Sequence, residues 1–192
     1  MRADALRRRA TLVSQARRLF AARGGDIGLE AVAAASGVGI ATLYRNFPSR
    51  ESLLVAVVLD ILADIRAAVG RAGERGAQDP WEAWSGLVRD LVAMDVGALT
   101  DALGRASREG YLAQAVEPQQ QALEEVEQLL CRLQDAGTVR EDLSALEVVV
   151  AVATITRPQP QAIRAAAPDA VGHLVEAFLA WSRAAGGAGR CR

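Results

Sequence analysis

The sequence predicts an all-α protein, and three features of composition and pattern lead to that prediction. Alanine fills 39 of the 192 positions, and the chain has only six prolines. Alanine and leucine have high helix propensity, so this composition favours helices. Apolar residues also recur with the period of a helix in several segments. With 51% hydrophobic residues the chain is too apolar for general disorder.

The N-terminal quarter predicts three helices. The first runs from about Asp4 to Arg23 and ends at Gly24-Gly25. Shorter helices are predicted at about 29–36 and 40–47, on either side of the turn 36–39, which reads Ser-Gly-Val-Gly. The spacing places several apolar residues inward: Leu12, Val13, Ala16, Leu19, Phe20, Val32, Ala33, Leu43 and Phe47.

A fourth, longer helix is predicted to leave this quarter of the chain. Pro48 disfavours helical geometry at the preceding residue, and Ser49 is a suitable cap for a new helix that reaches about Arg71. Glycine and polar residues at 70–78 predict a linker after it. Asp79 and Pro80 then form a strong helix start, and this helix is expected to continue to about Val96.

The last part of the chain predicts further helices. One short helix is expected near 98–105, and a long one from Pro118 to Ala136, with Gly137 as its cap. Asp142 or Ser144 is expected to cap the next helix, and Ser144 and Glu147 have capping-box spacing. We therefore expect 148–155 to be helical, although its composition also suits a strand. A break at 157–160, a last helix at about 169–185 and a disordered tail at 186–192 complete the prediction.

The charge is unevenly distributed along the chain. Residues 1–50 hold nine arginines and three acids, a net +6, whereas residues 51–192 carry a net −7. A basic segment on an acidic remainder suggests that the segment faces a polyanion, although a solvated basic face is the alternative. The Leu6–Arg9 stretch could follow a DNA backbone or enter a minor groove, or it could be a frayed helix start.

Helix, glycine turn and helix at 29–47 form the arrangement of a helix-turn-helix. In that motif the second helix enters the major groove and its N-terminal residues meet base edges. Small and apolar residues at this end allow close approach and contact with thymine methyls, and the hydroxyl, guanidinium and amide groups that follow can bind phosphates or bases. Tyr44 could alternatively be a half-buried packing residue.

Residues from about Leu12 to Leu54 resemble the DNA-binding domain of the TetR (tetracycline-repressor-like) family of bacterial transcriptional regulators. The resemblance is carried by the run from Leu29 to Glu51, which reads LEAVAAASGVGIATLYRNFPSRE, and by the ending of the first helix from Phe20 to Gly24. The stretch from Ala136 to Leu143 is similar to the segment before the dimerisation helices in many members of the family.

The resemblance implies a transcriptional regulator that is a homodimer and reads a palindromic double-stranded DNA operator, most simply a repressor released by a small-molecule effector of unknown identity. It implies a DNA-binding domain at 1–50, an effector-binding and dimerisation domain at 51–186, and a flexible tail at 187–192. Asn46, Arg50 and Gly28 depart from the family's usual His, Lys and Thr or Ser. The expected DNA-binding residues are Arg8, Arg9, Gly39, Ile40, Ala41, Thr42, Tyr44, Arg45, Asn46 and Arg50.

Two further sites are expected in the C-terminal domain. An all-round apolar helix at 148–155 needs burial on more than one side, and the last helix has an apolar stripe beside small alanines, so both are expected to form a two-fold interface. Its expected residues are Val149, Val152, Leu174, Ala177, Phe178 and Trp181. A mostly apolar effector pocket is expected among Trp84, Leu87, Leu91, Met94, Leu103, Arg105, Arg108, Tyr111 and Leu130, although ordinary core is the alternative interpretation of its aromatic and methionine residues.

Other classes of function find little support in the residue pattern. His173 is the single histidine, and no catalytic set, metal-ligand spacing or cofactor motif is recognisable. Cys131 and Cys191 do not suggest a disulfide framework, and no apolar run approaches a membrane span, so we expect a cytoplasmic protein that is not an enzyme. Two alternatives stay open: a regulator controlled by a protein partner or by abundance, and, more remotely, a helical enzyme or interaction module.

Overall fold

A computed structural model describes residues 2–23, 27–99 and 111–184. Within these ranges the fold is helical, and its one β-type contact is an isolated bridge between Val139 and Arg183. Two short 3₁₀ turns, Val96–Leu99 and Tyr111–Ala115, lie between the fifth and sixth helices. The helices are α1 (Arg2–Arg23), α2 (Leu29–Ala35), α3 (Ile40–Asn46), α4 (Arg50–Gly76), α5 (Pro80–Ala93), α6 (Val116–Asp135), α7 (Ala145–Ile155), α8 (Gln161–Ala166) and α9 (Ala170–Ser182).

The N-terminal core joins α1, α2 and α3 to the first half of α4. The predicted inward positions of the first three helices are buried, with Leu19 partly so, because their spacing keeps them on one face of each helix. From α4 the same core takes Leu53, Leu54, Val57 and Ile61. The N-terminal core therefore extends about three helical turns beyond residue 50.

The C-terminal core is a helical bundle of the second half of α4 with α5, α6, α7 and α9. Trp84 is its largest buried side chain, and the Trp84 indole N–H donates to the Ser182 hydroxyl at 2.8 Å. Backbone bonds from Arg140 to Ser182 and from Ala184 to Thr138 join the end of α9 to the α6–α7 connection. This pairing explains why the last helix ends at Ser182 and not near 185.

The prediction of a linker at 70–78 is wrong, because α4 continues to Gly76. Gly73 lies beside Arg132 of α6 and Gly76 beside Ala83 of α5, so these glycines face neighbouring helices at close range. Likewise α5 ends at Ala93, short of Val96, since the backbone at Asp95 is left-handed with φ of 52°.

Other parts of the helix prediction have mixed outcomes. The helical interpretation of 148–155 is confirmed, with the predicted capping box of Ser144 and Glu147 at its start. The sequence pattern does not predict helix α8, and no residue in this helix is buried. The Gly24-Gly25 cap, most of the helix expected near 98–105 and the tail at 186–192 lie outside the described residues.

Candidate nucleic-acid interface

The turn between α2 and α3 is built from backbone hydrogen bonds around a left-handed glycine. Gly37 has φ of 67°, the Val38 amide donates to the Ala33 carbonyl at 3.1 Å, and the Gly37 amide donates to Ala34 at the same distance. This is the Schellman ending of a helix, in which the carbonyls of the last turn are satisfied by the residues that follow. The turn therefore fixes the direction in which α3 leaves α2.

Helix α3 has one buried side and one side that faces solvent. Leu43 and Phe47 are 0% and 1% exposed in the N-terminal core, as predicted. Ile40 is 38% exposed and Tyr44 45% exposed, and Ala41 and Arg45 are exposed too, while Thr42 is half-buried. The solvent-facing side thus combines apolar, hydroxyl and cationic groups on less than two turns of helix.

Gly39 caps α3 without a structural demand for glycine. Its φ of −69° is available to any residue, and a Cβ built there meets nothing within 4 Å. The backbone of α3 is therefore accessible at its N-terminus, where helix amides are suited to an anionic ligand.

Arg9 and Asn46, both predicted to bind DNA, make hydrogen bonds to other groups of the protein. Arg9 donates to the Asn46 carbonyl at 3.2 Å, with its guanidinium 4.3 Å from the Phe47 ring centroid. The Asn46 side-chain amide donates to the Thr42 carbonyl at 2.8 Å, one turn back on the same helix. Arg9 therefore ties α1 to the C-terminal end of α3, a positioning contact that sequence reasoning missed because it joins residues 37 apart.

Arg50 stands at the first position of α4. Its Nε donates to the Ile27 carbonyl at 3.4 Å, and its guanidinium lies 5.6 Å from the Phe20 ring centroid. Ser49 caps the helix and exchanges hydrogen bonds with Ser52, so the start of α4 is held in place locally. The Glu51 amide, then the Ser49 hydroxyl and the Arg50 charge, hold the pKa of Glu51 below its usual value, so this carboxylate is ionised beside Arg50 at neutral pH.

The residues predicted for an effector pocket are only partly brought together. Trp84, Leu87, Leu91 and Leu130 are buried in the C-terminal core, and Met94 packs against it. Tyr111 begins a 3₁₀ turn, and Leu103, Arg105 and Arg108 lie outside the described residues.

Surface grooves lie beside helices of both cores. One, of about 340 Å³, lies between α1 and α4, and another, of about 280 Å³, lies between α5 and α9. Neither groove is lined by a residue predicted for the effector pocket.

The residues predicted for a dimer interface are mostly at the surface. Leu174 is 52%, Trp181 49% and Val149 39% exposed, and Ala177 is also exposed. Phe178 is half-buried between Trp84 and Trp181. The prediction that Val152 lies in the interface is wrong. Val152 is 2% exposed because it points into the C-terminal core of its own chain.

No helix in the described ranges is long and apolar enough to cross a membrane. Among the same residues there is no cluster of three or more histidine, cysteine or acidic side chains suited to a metal ion.

Two family models match the chain. Residues 12–57 match the model of bacterial regulatory proteins of the tetR family, and residues 79–180 match the C-terminal domain of SbtR-like transcriptional regulators. The second match alone spans more than half of the sequence. No curated protein matches the chain.

Solved structures of similar proteins extend over almost the whole chain. A TetR transcription regulatory protein from Mycobacterium vanbaalenii is 29% identical, with a TM-score of 0.66 over 95% of this chain and 98% of that one. A TetR transcriptional regulator from Streptomyces coelicolor is 25% identical, with a TM-score of 0.67 over 93% and 99%. A fatty acid degradation regulator from Bacillus halodurans, 17% identical, shares the fold, with a TM-score of 0.65 over 90% and 94%.

Proposed function

Because the chain belongs to the TetR family of bacterial transcriptional regulators, we propose that it binds a palindromic operator as a homodimer and represses transcription there. The observation that supports this proposal most directly is the outward side of α3. It carries two exposed apolar residues, Ile40 and Tyr44, and an exposed Arg45, although burial of apolar surface stabilises the rest of the domain. DNA bound against this side of α3 would cover these residues and so explain why they are exposed in the free protein.

The composition of this side of α3 suits the major groove of B-DNA. Ile40 and Ala41 can contact thymine methyls, the Thr42 and Tyr44 hydroxyls can bond to bases or phosphates, and Arg45 can pair with guanine or phosphate. The open backbone at Gly39 allows close approach to the groove. We therefore assign base contacts to α3, and phosphate contacts to Arg50 and to Arg8 on α1.

The proposal can be tested with a duplex enriched by the wild-type protein from a random-sequence library. Tyr44→Ala is expected to weaken binding by roughly 1–3 kcal/mol if the ring contacts a base. Val116→Ala is the matched control, because Val116 is also an exposed apolar residue (51%) but lies on α6. Equal affinities for wild type and Tyr44→Ala, or enrichment of no duplex at all, would contradict the assignment.

Phosphate contacts are measured by the salt dependence of the same binding reaction. Arg50→Gln is expected to lower the slope of log affinity against log salt by about 1, because one fewer phosphate is neutralised. Arg66→Gln is the control, since Arg66 is paired with Glu125 in the C-terminal domain. An unchanged slope in Arg50→Gln would remove this residue from the interface.

For control of the repressor we propose release by a small molecule bound in the C-terminal domain. Linkage requires that a ligand which weakens operator binding is itself bound more weakly, by the same factor, when operator is present. A thermal-shift screen supplies candidate ligands, and titrations with and without operator test the reciprocity. A ligand that binds without changing operator affinity would contradict this route.

A regulator controlled by a protein partner or by abundance is the second candidate. One observation favours it: Trp84, Leu87 and Leu130 pack as ordinary core residues at most 1% exposed. Absence of any thermal-shift ligand, together with normal operator binding by the protein alone, would support this alternative.

A further inference from the structure

The 3₁₀ turn Val96–Leu99 contacts α1 on one side and α7 on the other. Val96 packs against the N-terminal core. The next residue, Gly97, is buried, and its amide donates to the Thr156 hydroxyl at the end of α7 over 2.8 Å. The turn is therefore a second connection between the DNA-binding domain and the C-terminal bundle, separate from α4.

The contact between Gly97 and α7 is too close for any side chain. A Cβ at this position would lie 2.1 Å from the Ala153 carbonyl oxygen and 2.6 Å from the Thr156 hydroxyl. The first of these is a backbone atom, so α7 itself would have to move. Asp95, left-handed with φ of 52°, turns the chain sharply just before this contact.

The Thr156 hydroxyl completes a short buried chain of hydrogen bonds. It accepts from Gly97 and donates to the Val152 carbonyl at 2.8 Å. Thr156 is only 8% exposed, so loss of the hydroxyl would leave the Gly97 amide without its buried acceptor. The bond therefore fixes how the 96–99 turn sits on α7.

A single connecting helix leaves a domain free to twist and bend about that helix. A second contact restricts this freedom, because α4 and the 96–99 turn contact the N-terminal core at different points. Helix α7 carries exposed apolar residues of the proposed dimer interface, including Val149. The second contact thus links the orientation of each DNA-binding domain to a helix at the proposed dimer surface.

We propose that Thr156 is a positioning residue for DNA binding: through Gly97 it holds the two α3 helices of the dimer at the separation that the operator requires. The inference rests on the proposed binding of a two-half-site operator. The DNA fixes the spacing of the two half-sites. A dimer whose two α3 helices sample many separations loses that conformational freedom on binding, and this loss weakens its affinity. Removal of the bond should therefore weaken full-site binding without damage to the contacts that each half-site makes.

The test compares three variants on α7 and its end. Thr156→Val removes the hydroxyl at nearly constant size, and Thr156→Ser restores it. Thr154→Val is the matched control, because the Thr154 hydroxyl is exposed and bonds only within its own helix, to the Val150 carbonyl. Each variant is measured on the enriched full-site duplex and on the same duplex with one half-site scrambled, at protein concentrations where sedimentation shows the wild-type oligomer.

Thr156→Val is expected to bind the full site at least about fivefold more weakly, with half-site affinity, helix content and oligomeric state retained. Thr156→Ser and Thr154→Val are expected to match wild type. Gly97→Ala should act in the same direction, and more strongly, if it folds.

Unchanged or tighter full-site binding by Thr156→Val would overturn the proposal, and so would an equal loss on both duplexes, which indicates damage to the fold. Failure of the wild-type protein to enrich any duplex would instead contradict the proposed function.

Discussion

At the scale of single residues, the two glycines of the helix-turn-helix have different roles. Gly37 occupies the left-handed region in open space, so only its backbone angle calls for glycine. Gly39 has ordinary angles and the same open surroundings, so nothing in the fold calls for glycine there. We therefore expect that glycine is needed at 37 for the fold and at 39 for DNA binding.

We expect Gly37→Ala to lower the free energy of unfolding by roughly 1–2 kcal/mol, because an L-residue is strained in the left-handed region. Gly39→Ser should leave stability within about 0.5 kcal/mol, because serine caps a helix at least as well as glycine. It should nevertheless weaken DNA binding, since the added side chain stands at the N-terminus of α3. Urea unfolding and binding to the enriched duplex measure the two effects. A stability loss in Gly39→Ser as large as that of Gly37→Ala, or unaltered DNA binding, would contradict this distinction.

At the scale of helices, the start of α7 is stabilised by a capping box. The Ser144 hydroxyl accepts from the Glu147 amide at 3.3 Å, and the Glu147 carboxylate accepts from the Ser144 amide at 2.9 Å and from its hydroxyl at 2.7 Å. The Ser144 hydroxyl, followed by its amide, holds the pKa of Glu147 below its usual value. Because the folded-state pKa is lowered, this stabilisation is present above the usual glutamate pKa and is lost as pH falls through the folded-state value.

Ser144→Ala is expected to destabilise the protein by about 1 kcal/mol near neutral pH, as loss of a helix cap does. The pKa of Glu147 should rise toward the ordinary glutamate value. The stability difference from wild type should then narrow as pH falls through the folded-state pKa. Denaturant unfolding at several pH values and NMR titration of the carboxyl group test this, and an unmoved pKa would show that Ser144 does not hold the carboxylate.

Helix α4 contains a glycine that its surroundings do not require. Gly70 is exposed in the interior of the helix, and a Cβ there meets nothing within 4 Å. Gly70→Ala is therefore expected to raise the free energy of unfolding by roughly 0.5–1 kcal/mol, because alanine loses less conformational freedom in a helix. A lower melting temperature in this variant would mean that α4 is strained at this point.

At the scale of the whole molecule, the exposed apolar side of α7 and α9 predicts a homodimer. Light scattering at micromolar concentration should give twice the chain mass of 20.3 kDa. Leu174 is 52% exposed in the single chain and is expected to be buried in the interface. Leu174→Glu should shift the protein toward monomer, because it places a charge in that interface. Leu6→Glu, at a site 68% exposed on α1, is the control and should leave the mass unchanged. A wild-type mass of 20.3 kDa would contradict the interface.

The sequence by itself determined the helical class and the helix-turn-helix. Periodicity placed Leu12, Phe20, Leu43 and Phe47 inward, and local residue chemistry identified the caps at Ser49 and Ser144. These features depend on interactions within one or two helical turns, which a sequence displays directly.

Only the tertiary structure decided the features that join distant parts of the chain. In the tertiary structure α4 continues past Gly73 and Gly76, which lie beside α6 and α5. Val152 points into the core of its own chain, and Arg9 lies against the end of α3. Gly97 also lies against Thr156, 59 residues later in the chain. Each of these depends on which helices become neighbours, and packing between helices overrides local propensity at such contacts because a buried position is chosen by its surroundings in space.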